Sequence, residues 1–447
     1  MTAVNRHGYE RRLLVVEGIS KSINTLAYYG DGSFQFNNFI YKVELKTPAG
    51  QGSFSGKQPG TVAPPAAGAA ALVVRLSNLR AEGLHNANRV ANDVASSFIA
   101  RQAIEDAGLE RVVPAVYAWA PPKSTDVIEE ENFGWVVCEY KNGQDLDGQL
   151  PLLSEGEKKH VLQQIAKIVA ALQNAPVPAT VDQLGGLAFD EQGSIVPAQM
   201  VLIKDGPFAS YADVWAAKLQ AQLEESQASA VLNGWRDEAV VERIRNFIST
   251  RGVWDALEGV ALGERKFVHG DLSMYPPIVL LFFDSAGGTT YSNAMDAATN
   301  NMLFDAESKR ITALLDFDWS AITHPAEEYL SGFGDIGGCV DDKPKGILAA
   351  VLANDFSAKP KDLAEKEAKQ WDMAAAWAAA AASNGVKLPC DMPGMDRIKA
   401  LHDFSSAVCP MELGCEAMLR RLSDEAKAKK KQESLDFIVS FLEKYRY

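Results

Sequence analysis

Residues Val268–Phe283 read VHGDLSMYPPIVLLFF. The short apolar strand Lys266–Val268 runs into His269-Gly270-Asp271, and the chain then meets Pro276-Pro277 and an apolar run. Downstream, LLDFDWS (Leu314–Ser320) places Asp316 at the end of a second apolar strand, Ile311–Leu315. An aspartate just past a buried strand can point into a cleft while its strand anchors it. Two such carboxylates, with an asparagine between them in the sequence, form a hard, oxygen-rich set of the kind that Mg²⁺ selects, usually together with phosphate oxygens.

Upstream of this pair the pattern is β-rich. Residues 22–45 read as two strands around Gly30-Asp31-Gly32, flanked by aromatic and β-branched residues. A Gly/Pro/Ala-rich stretch over 46–71 follows and is expected to be a flexible connection. Leu72–Asn78 is a third strand. The segment from Asn86 to Leu109 carries Val90, Val94, Phe98 and Ile99 at helical spacing and predicts an amphipathic helix. RVVPAVYAWAP and GWVVCEY predict two more strands. Past Gly143 the pattern becomes helical, beginning with a Ser–Glu capping pair ahead of a long helix. Further helices are expected over Tyr211–Ser226, Asp237–Thr250, Asp362–Asn384 and Met411–Tyr447. Two units follow: residues 1–137, and residues 138–447 with an interruption at 276–300. A ligand would sit in the cleft between them.

The chain has 447 residues, 47% hydrophobic and 23% charged, which suits a globular protein with a sizeable core. Its net charge of −14 argues against a nucleic-acid partner, whose phosphates are gripped by surplus Lys and Arg, and against an anionic membrane surface. It is compatible with a cationic small substrate. The five cysteines are scattered, without a Cys-x-x-Cys pair, so neither a disulfide framework nor a zinc site is implied. With no leader pattern at the N-terminus and no apolar run near 20 residues, the expected location is cytoplasmic.

The segments FVHGDLS and LLDFDWS resemble the aminoglycoside phosphotransferase/choline kinase-like superfamily, whose pattern is H-G-D-x-x-x-x-N, then a strand, then D-[FW]-x-x. The resemblance spans about residues 22–335. It implies a two-lobed, protein-kinase-like α+β fold: a small antiparallel-sheet N-terminal lobe and a larger, mainly helical C-terminal lobe. The implied activity is transfer of the ATP γ-phosphate to a hydroxyl of a small molecule. Residue by residue, it implies Asp271 as catalytic base with His269 holding its loop, and Asp316 as a ligand to Mg²⁺. Gly30, Gly32, Ser33 and Phe34 would cover the phosphates. Arg75, in VVRLSN, stands where the family has a phosphate-gripping lysine, and Asp93, in ANDVAS, where it has the acidic partner of that cation. Arg keeps the charge but adds a bidentate fork. Glu139 and Tyr140 would contact adenine.

The family's asparagine should stand at the fifth position after Asp271, which here is Pro276. Removing the 25 residues Pro276–Asn300 yields HGDLSMYNMLFD and puts Asn301 in that metal-binding place. The segment therefore reads as an insertion in an intact motif, either a genuine loop or a translated intron. The alternative reading is a catalytically impaired pseudokinase that binds nucleotide or a partner. A protein kinase is disfavoured, because no Ala-Pro-Glu-like segment follows LLDFDW. Asp318 reads as an outer or surface carboxylate or a second metal contact, and Glu327, Glu328 and Asp335 as helix-surface acids or an acidic substrate wall.

Overall fold

The computed structural model describes residues 23–29, 38–79, 81, 84–126, 132–236, 239–272, 301–341 and 344–447. Gly30, Gly32, Ser33, Phe34 and the 276–300 segment lie outside the described residues.

Five strands, β1 (Ile23–Tyr29), β2 (Asn38–Ala49), β3 (Ala69–Ser77), β4 (Val116–Ala120) and β5 (Trp135–Glu139), form an antiparallel sheet in the order β1-β2-β3-β5-β4. Strand parity sets what each face carries. On β3, Leu72, Val74 and Leu76 are buried in one apolar cluster with Phe39, Tyr41, Val43 and Val137. Arg75 and Ser77 therefore face the other way, towards helix α1 (Asn86–Asp106).

The 46–71 segment is not a loose connection. β2 runs on to Ala49, and the loop beyond it lies along β4. Phe54 is buried and stacks on Tyr117, with ring centroids 5.9 Å apart. Gln58 Nε2 donates to the carbonyl of Trp119, Trp119 Nε1 donates to the carbonyl of Pro59 (2.9 Å), and Val62 N–H donates to Val116 (2.9 Å). Apolar anchors within a Gly/Pro-rich stretch outweigh the flexibility its composition suggests.

The chain leaves the sheet after Glu139. The two-residue strand β6 (Gln144–Asp145) pairs with β10 (Met302–Asp305), which pairs in turn with β11 (Arg310–Leu314). Helix α2 (Glu155–Gln173) starts at the expected box: Ser154 Oγ accepts from Glu157 N–H (3.4 Å), and the Glu157 carboxylate accepts from Ser154 N–H (2.8 Å). Strands β7 (Gly186–Phe189) and β8 (Ile195–Ala198) form a hairpin, and helix α3 (Tyr211–Ala228) follows. β9 (Lys266–Val268) pairs antiparallel with β12 (Ala321–Thr323), just ahead of the short helix α4 (Glu327–Ser331). Helices α5 (Glu365–Ser383), α6 (Met395–Val408) and α7 (Asp424–Lys444) complete a large helical core that includes Trp215, Trp235, Trp377 and Phe404. The fold is α+β, a small antiparallel sheet followed by a larger, mainly helical part, as expected.

Two details depart from the expectation. The helix expected over Met411–Tyr447 is three helices, Met411–Gly414, Glu416–Leu419 and α7. Cys415 is extended, and Ser423 Oγ accepts from Ala426 N–H (3.2 Å), starting α7 afresh. On α1, Val90, Val94 and Ile99 are buried, but Phe98 is 42% exposed. What α1 buries in its place is polar: Arg89, Asn92, Asp93 and Ser96, at helical spacing on one stripe.

Candidate active site

Sequence and backbone geometry explain the His-Gly-Asp turn. Gly270 has φ +83°, and a Cβ there would lie 2.7 Å from the carbonyl oxygen of Trp319, so only glycine fits between β9 and the segment before β12. His269 is fully buried. Its Nε2–H donates to the Leu315 carbonyl (3.0 Å), which fixes the tautomer, and its Nδ1 accepts from Asp271 N–H (3.3 Å). The ring packs on Phe317, with centroids 4.7 Å apart. Burial pushes the imidazole down to about 4, so it is neutral and serves as a spacer between the two strand ends.

Asp271 is 8% exposed. Its carbonyl and its carboxylate both accept from Asn301 Nδ2, at 2.7 and 3.0 Å. Burial first, then the charge of Asp316, pushes Asp271 up to about 7; the Asn301 bond pulls the other way. Asn301 is anchored separately: its carbonyl accepts from Leu315 N–H (2.8 Å), at the mouth of β10. The chain thus brings Asp271 and Asn301 together across thirty positions.

Glu328 was read as a helix-surface or substrate-wall acid, and the structure corrects this. It is buried on α4 and accepts from His269 N–H (2.7 Å) and Gly270 N–H (3.2 Å), clamping the turn from behind. Burial raises it to about 7 against those bonds. Its neighbour Glu327 also turns inward, paired with Lys218 and accepting from the Tyr211 hydroxyl (2.6 Å). Burial alone would raise Glu327; Lys218 and Tyr211 overcome it and hold the carboxyl low. Neither acid forms an open wall.

Arg75 reaches from β3 into a group of three aspartates. Its Nη1 donates to both oxygens of Asp93 (3.2 and 3.3 Å), and its Nη2 donates to Asp316 (3.1 Å) and Asp318 (2.9 Å). The three carboxylates offer oxygens that all lie within 4.8 Å of one another. Burial opposes the charge on Arg75, but the three carboxylates more than compensate and lift it well above the ordinary arginine value. Asp316 has φ +60°, a left-handed conformation unusual for aspartate, and its side chain is 30% exposed, against 5% for Asp93 and 6% for Asp318.

Asp318, read as an outer or surface carboxylate or a second metal contact, is a buried junction beside Asp316, not a surface residue. It accepts from Arg75 and from Asn38 Nδ2 (2.9 Å), and Arg89 Nε lies 3.7 Å away. Arg89 also donates to Ser77 Oγ (3.0 Å from Nε). Asn92 Nδ2 donates to the carbonyls of Asp318 (3.1 Å) and Ser320 (2.9 Å), while its Oδ1 accepts from Leu187 N–H (2.7 Å). Asp93 additionally accepts from Phe317 N–H (3.1 Å). Sequence reasoning missed Arg89 and Asn92. The signal was present: in RVANDVAS, Arg89, Asn92, Asp93 and Ser96 recur at helical spacing between valines.

Glu139 and Tyr140 lie where β5 leaves the sheet. Glu139 N–H donates to Ala115 O (2.8 Å), and its carboxylate accepts from Ala115 N–H (3.1 Å) and pairs with Lys141 (2.9 Å). Lys42 Nζ sits 4.4 Å above the Tyr140 ring. These two residues are outside the aspartate–arginine group.

Residues 66–274 match the model of the family described as "Phosphotransferase enzyme family". The chain resembles that family. The match ends at Met274, immediately ahead of the Pro276 interruption. No curated protein matches. Among solved structures, the streptomycin–ATP–APH(2")-IIa ternary complex aligns at 14% identity and a TM-score of 0.42, covering 99% of both chains. ADP-bound aminoglycoside phosphotransferase APH(2'')-Ib aligns at 14% identity and a TM-score of 0.42, covering 98% of this chain and 99% of that one. Aminoglycoside phosphotransferase APH(3'')-Id from Streptomyces rimosus aligns at 9% identity and a TM-score of 0.34, covering 83% of this chain and 98% of that one.

Proposed function

We propose that the chain is an ATP-dependent phosphotransferase that moves the γ-phosphate to a hydroxyl of a small molecule. The observation that carries this reading is the pair of hydrogen bonds from Asn301 to Asp271, which brings together the two residues that the H-G-D-x-x-x-x-N pattern would place in one loop. Asp271 would orient the acceptor hydroxyl and take its proton. A carboxylate held up to about 7 is basic enough for that task near neutral pH. His269 and Glu328 hold the turn that carries it. Asp316 and the side-chain oxygen of Asn301 are the donors we assign to Mg²⁺. The all-oxygen set fits a hard cation, and the Asn301 amide nitrogen is already committed to Asp271. The bound ion would neutralise charge on the phosphate oxygens. Arg75, backed by Asp93, and the Gly30–Phe34 turn would hold phosphates, while Glu139 and Tyr140 would meet adenine. We draw the boundary between the two lobes at residues 137 and 138, within β5 and just ahead of the point where the chain leaves the five-stranded sheet.

The acceptor is a small molecule with a hydroxyl. A net charge of −14 supports a cationic one, although Glu327 is already neutralised by Lys218. The free cysteines support a cytoplasmic setting, and no helix among the described residues is long and apolar enough to cross a membrane. The rival reading, a nucleotide-binding pseudokinase, is favoured by one observation: Arg75 engages the carboxylate assigned to the metal.

Thermal unfolding with ATP, with and without Mg²⁺, tests the site first, because a ligand of the native state raises the melting point by mass action. A Mg²⁺-dependent rise lost in Asp316→Ala supports the reading. Phosphate transfer to a screened panel of alcohols, abolished by Asp271→Asn, would reject the pseudokinase. No rise with ATP under either condition would overturn both.

A further inference from the structure

The arginine at position 75 does something a lysine in its place could not. One planar guanidinium meets three carboxylates at once: Nη1 spans both oxygens of Asp93, and Nη2 is shared between Asp316 and Asp318. A lysine offers a single nitrogen on a flexible stem and has no rigid fork to divide among three partners. Arg89 backs the group from the far side, 3.7 Å from Asp318. Three carboxylates against two guanidinium groups leave one formal negative charge. The most solvent-accessible of the three carboxylates is Asp316, and it receives one bond from Arg75 where Asp93 receives two.

We infer that Arg75 is the resident counter-cation of Asp316, so that the protein binds a divalent metal weakly until a nucleotide draws the guanidinium away. This rests on the phosphotransferase reading above. A metal ion and Arg75 Nη2 compete for the same carboxylate. Polyphosphate is the better partner for the released N–H, because a charge-assisted bond to a multiply charged phosphate replaces one bond to a partly exposed carboxylate. Asp93 and Asp318 would retain the guanidinium's other contacts. Release of Asp316 is then a small swing of one nitrogen, and nucleotide and metal bind in a coupled way. The coupling is reciprocal: metal must raise nucleotide affinity by the same factor.

The test is Mn²⁺ binding to the full chain, read from the paramagnetic signal of the free ion, with and without a non-hydrolysable ATP analogue. Wild type is expected to bind Mn²⁺ on the order of tenfold more tightly with the analogue, the equivalent of one charge-assisted hydrogen bond released. Arg75→Met without nucleotide should bind Mn²⁺ on the order of tenfold more tightly than wild type without nucleotide, by the same reasoning. Adding Asp316→Asn to that variant should abolish the gain. Arg75→Met strands buried carboxylates and could fail to fold, so the charge-balanced Arg75→Met/Asp93→Asn chain is measured beside it, with circular dichroism as the check on folding. Folded variants that bind Mn²⁺ no more tightly than wild type overturn the inference. So does wild-type affinity that is equal with and without the analogue while the analogue itself binds. If the analogue does not bind wild type at all, the phosphotransferase reading fails, and the nucleotide-free comparison of Arg75→Met with wild type still decides the counter-cation role.

Discussion

Removing the Glu328 carboxylate should loosen the turn that carries Asp271. Glu328 accepts from His269 N–H at 2.7 Å and from Gly270 N–H at 3.2 Å, and it is only 5% exposed, so water cannot replace it without opening the site. In Glu328→Ala, two buried donors lose their acceptor, at roughly 1–3 kcal/mol each. The lost carboxylate was itself costly to bury, which returns part of that, so the expected loss is about 2–4 kcal/mol of unfolding free energy. Glu328→Gln keeps one acceptor oxygen and faces the other donor with an NH₂ group, for a loss of roughly 1–3 kcal/mol. Urea unfolding reads both, and amide hydrogen exchange across 266–272 reads the turn itself. Exchange there should speed up in either variant more than in the α6 helix, which lies elsewhere in the core. A pH series adds a second signature. Glu328 is held up to about 7 from an ordinary 4.5, so the stability it contributes is fully present below about 4.5 and is lost as pH rises through about 7. The wild-type advantage over Glu328→Gln should therefore narrow from pH 5 to pH 8. A Glu328→Ala chain with the wild-type unfolding midpoint and unchanged exchange at 266–272 would refute the reasoning.

Asp271, also held up to about 7, gives an acid limb: phosphate transfer should fall as pH drops through about 7, and bound Mg²⁺ should move that limb lower. The same shift contributes stability present below the ordinary aspartate value and lost as pH rises through about 7; Asp271→Asn, inactive, should thus be more stable than wild type at pH 8 by roughly 1–3 kcal/mol, and the gap should close towards pH 4 in calorimetry. Gly270→Ala must place a Cβ 2.7 Å from Trp319 O at φ +83°, and should lose about 2–4 kcal/mol in urea unfolding together with the nucleotide-dependent melting shift. Deleting Pro276–Asn300 should leave the Mg²⁺- and ATP-dependent melting shift within about a degree of wild type under mass-action stabilisation.

The strand-end aspartates were legible because the signal is local: an apolar run, then His-Gly-Asp or Asp-Phe-Asp, decides both the strand and where it stops. Arg75 was singled out through the family resemblance alone; that it faces away from Leu72, Val74 and Leu76 follows from the period-two alternation of a strand. Of the polar stripe on α1 only Asp93 was singled out, through the resemblance, because Arg89 and Asn92 look like a solvated helix face until the partner surface is known. That surface is the backbone of Phe317, Asp318 and Ser320, more than two hundred positions away. Glu328 failed for the same reason: nothing within HPAEEYL distinguishes an acid that accepts from a buried turn from one that faces water. In the 46–71 segment, composition pointed to looseness, and two or three apolar side chains decided otherwise.

The Asn301–Asp271 contact explains how the proposed catalytic motif can keep its geometry across an interruption of this length. Each arm of the loop is anchored by its own partners. On the Asp271 side the anchors are the Glu328 carboxylate, the His269 bond to Leu315, and the close packing of Gly270 against Trp319. On the Asn301 side they are the bond from Leu315 N–H and the pairing of β10 with β11, where Met302 faces Leu314. Leu315 joins the two arms, since its carbonyl receives His269 and its N–H meets Asn301. None of these anchors comes from residues 273–300. The entropy of closing a loop grows only with the logarithm of its length, about 0.6 kcal/mol for each doubling. Two independently fixed ends therefore tolerate extra chain between them, and what Asn301 requires to reach Asp271 is the β10 strand behind it rather than a fixed count of residues ahead of it.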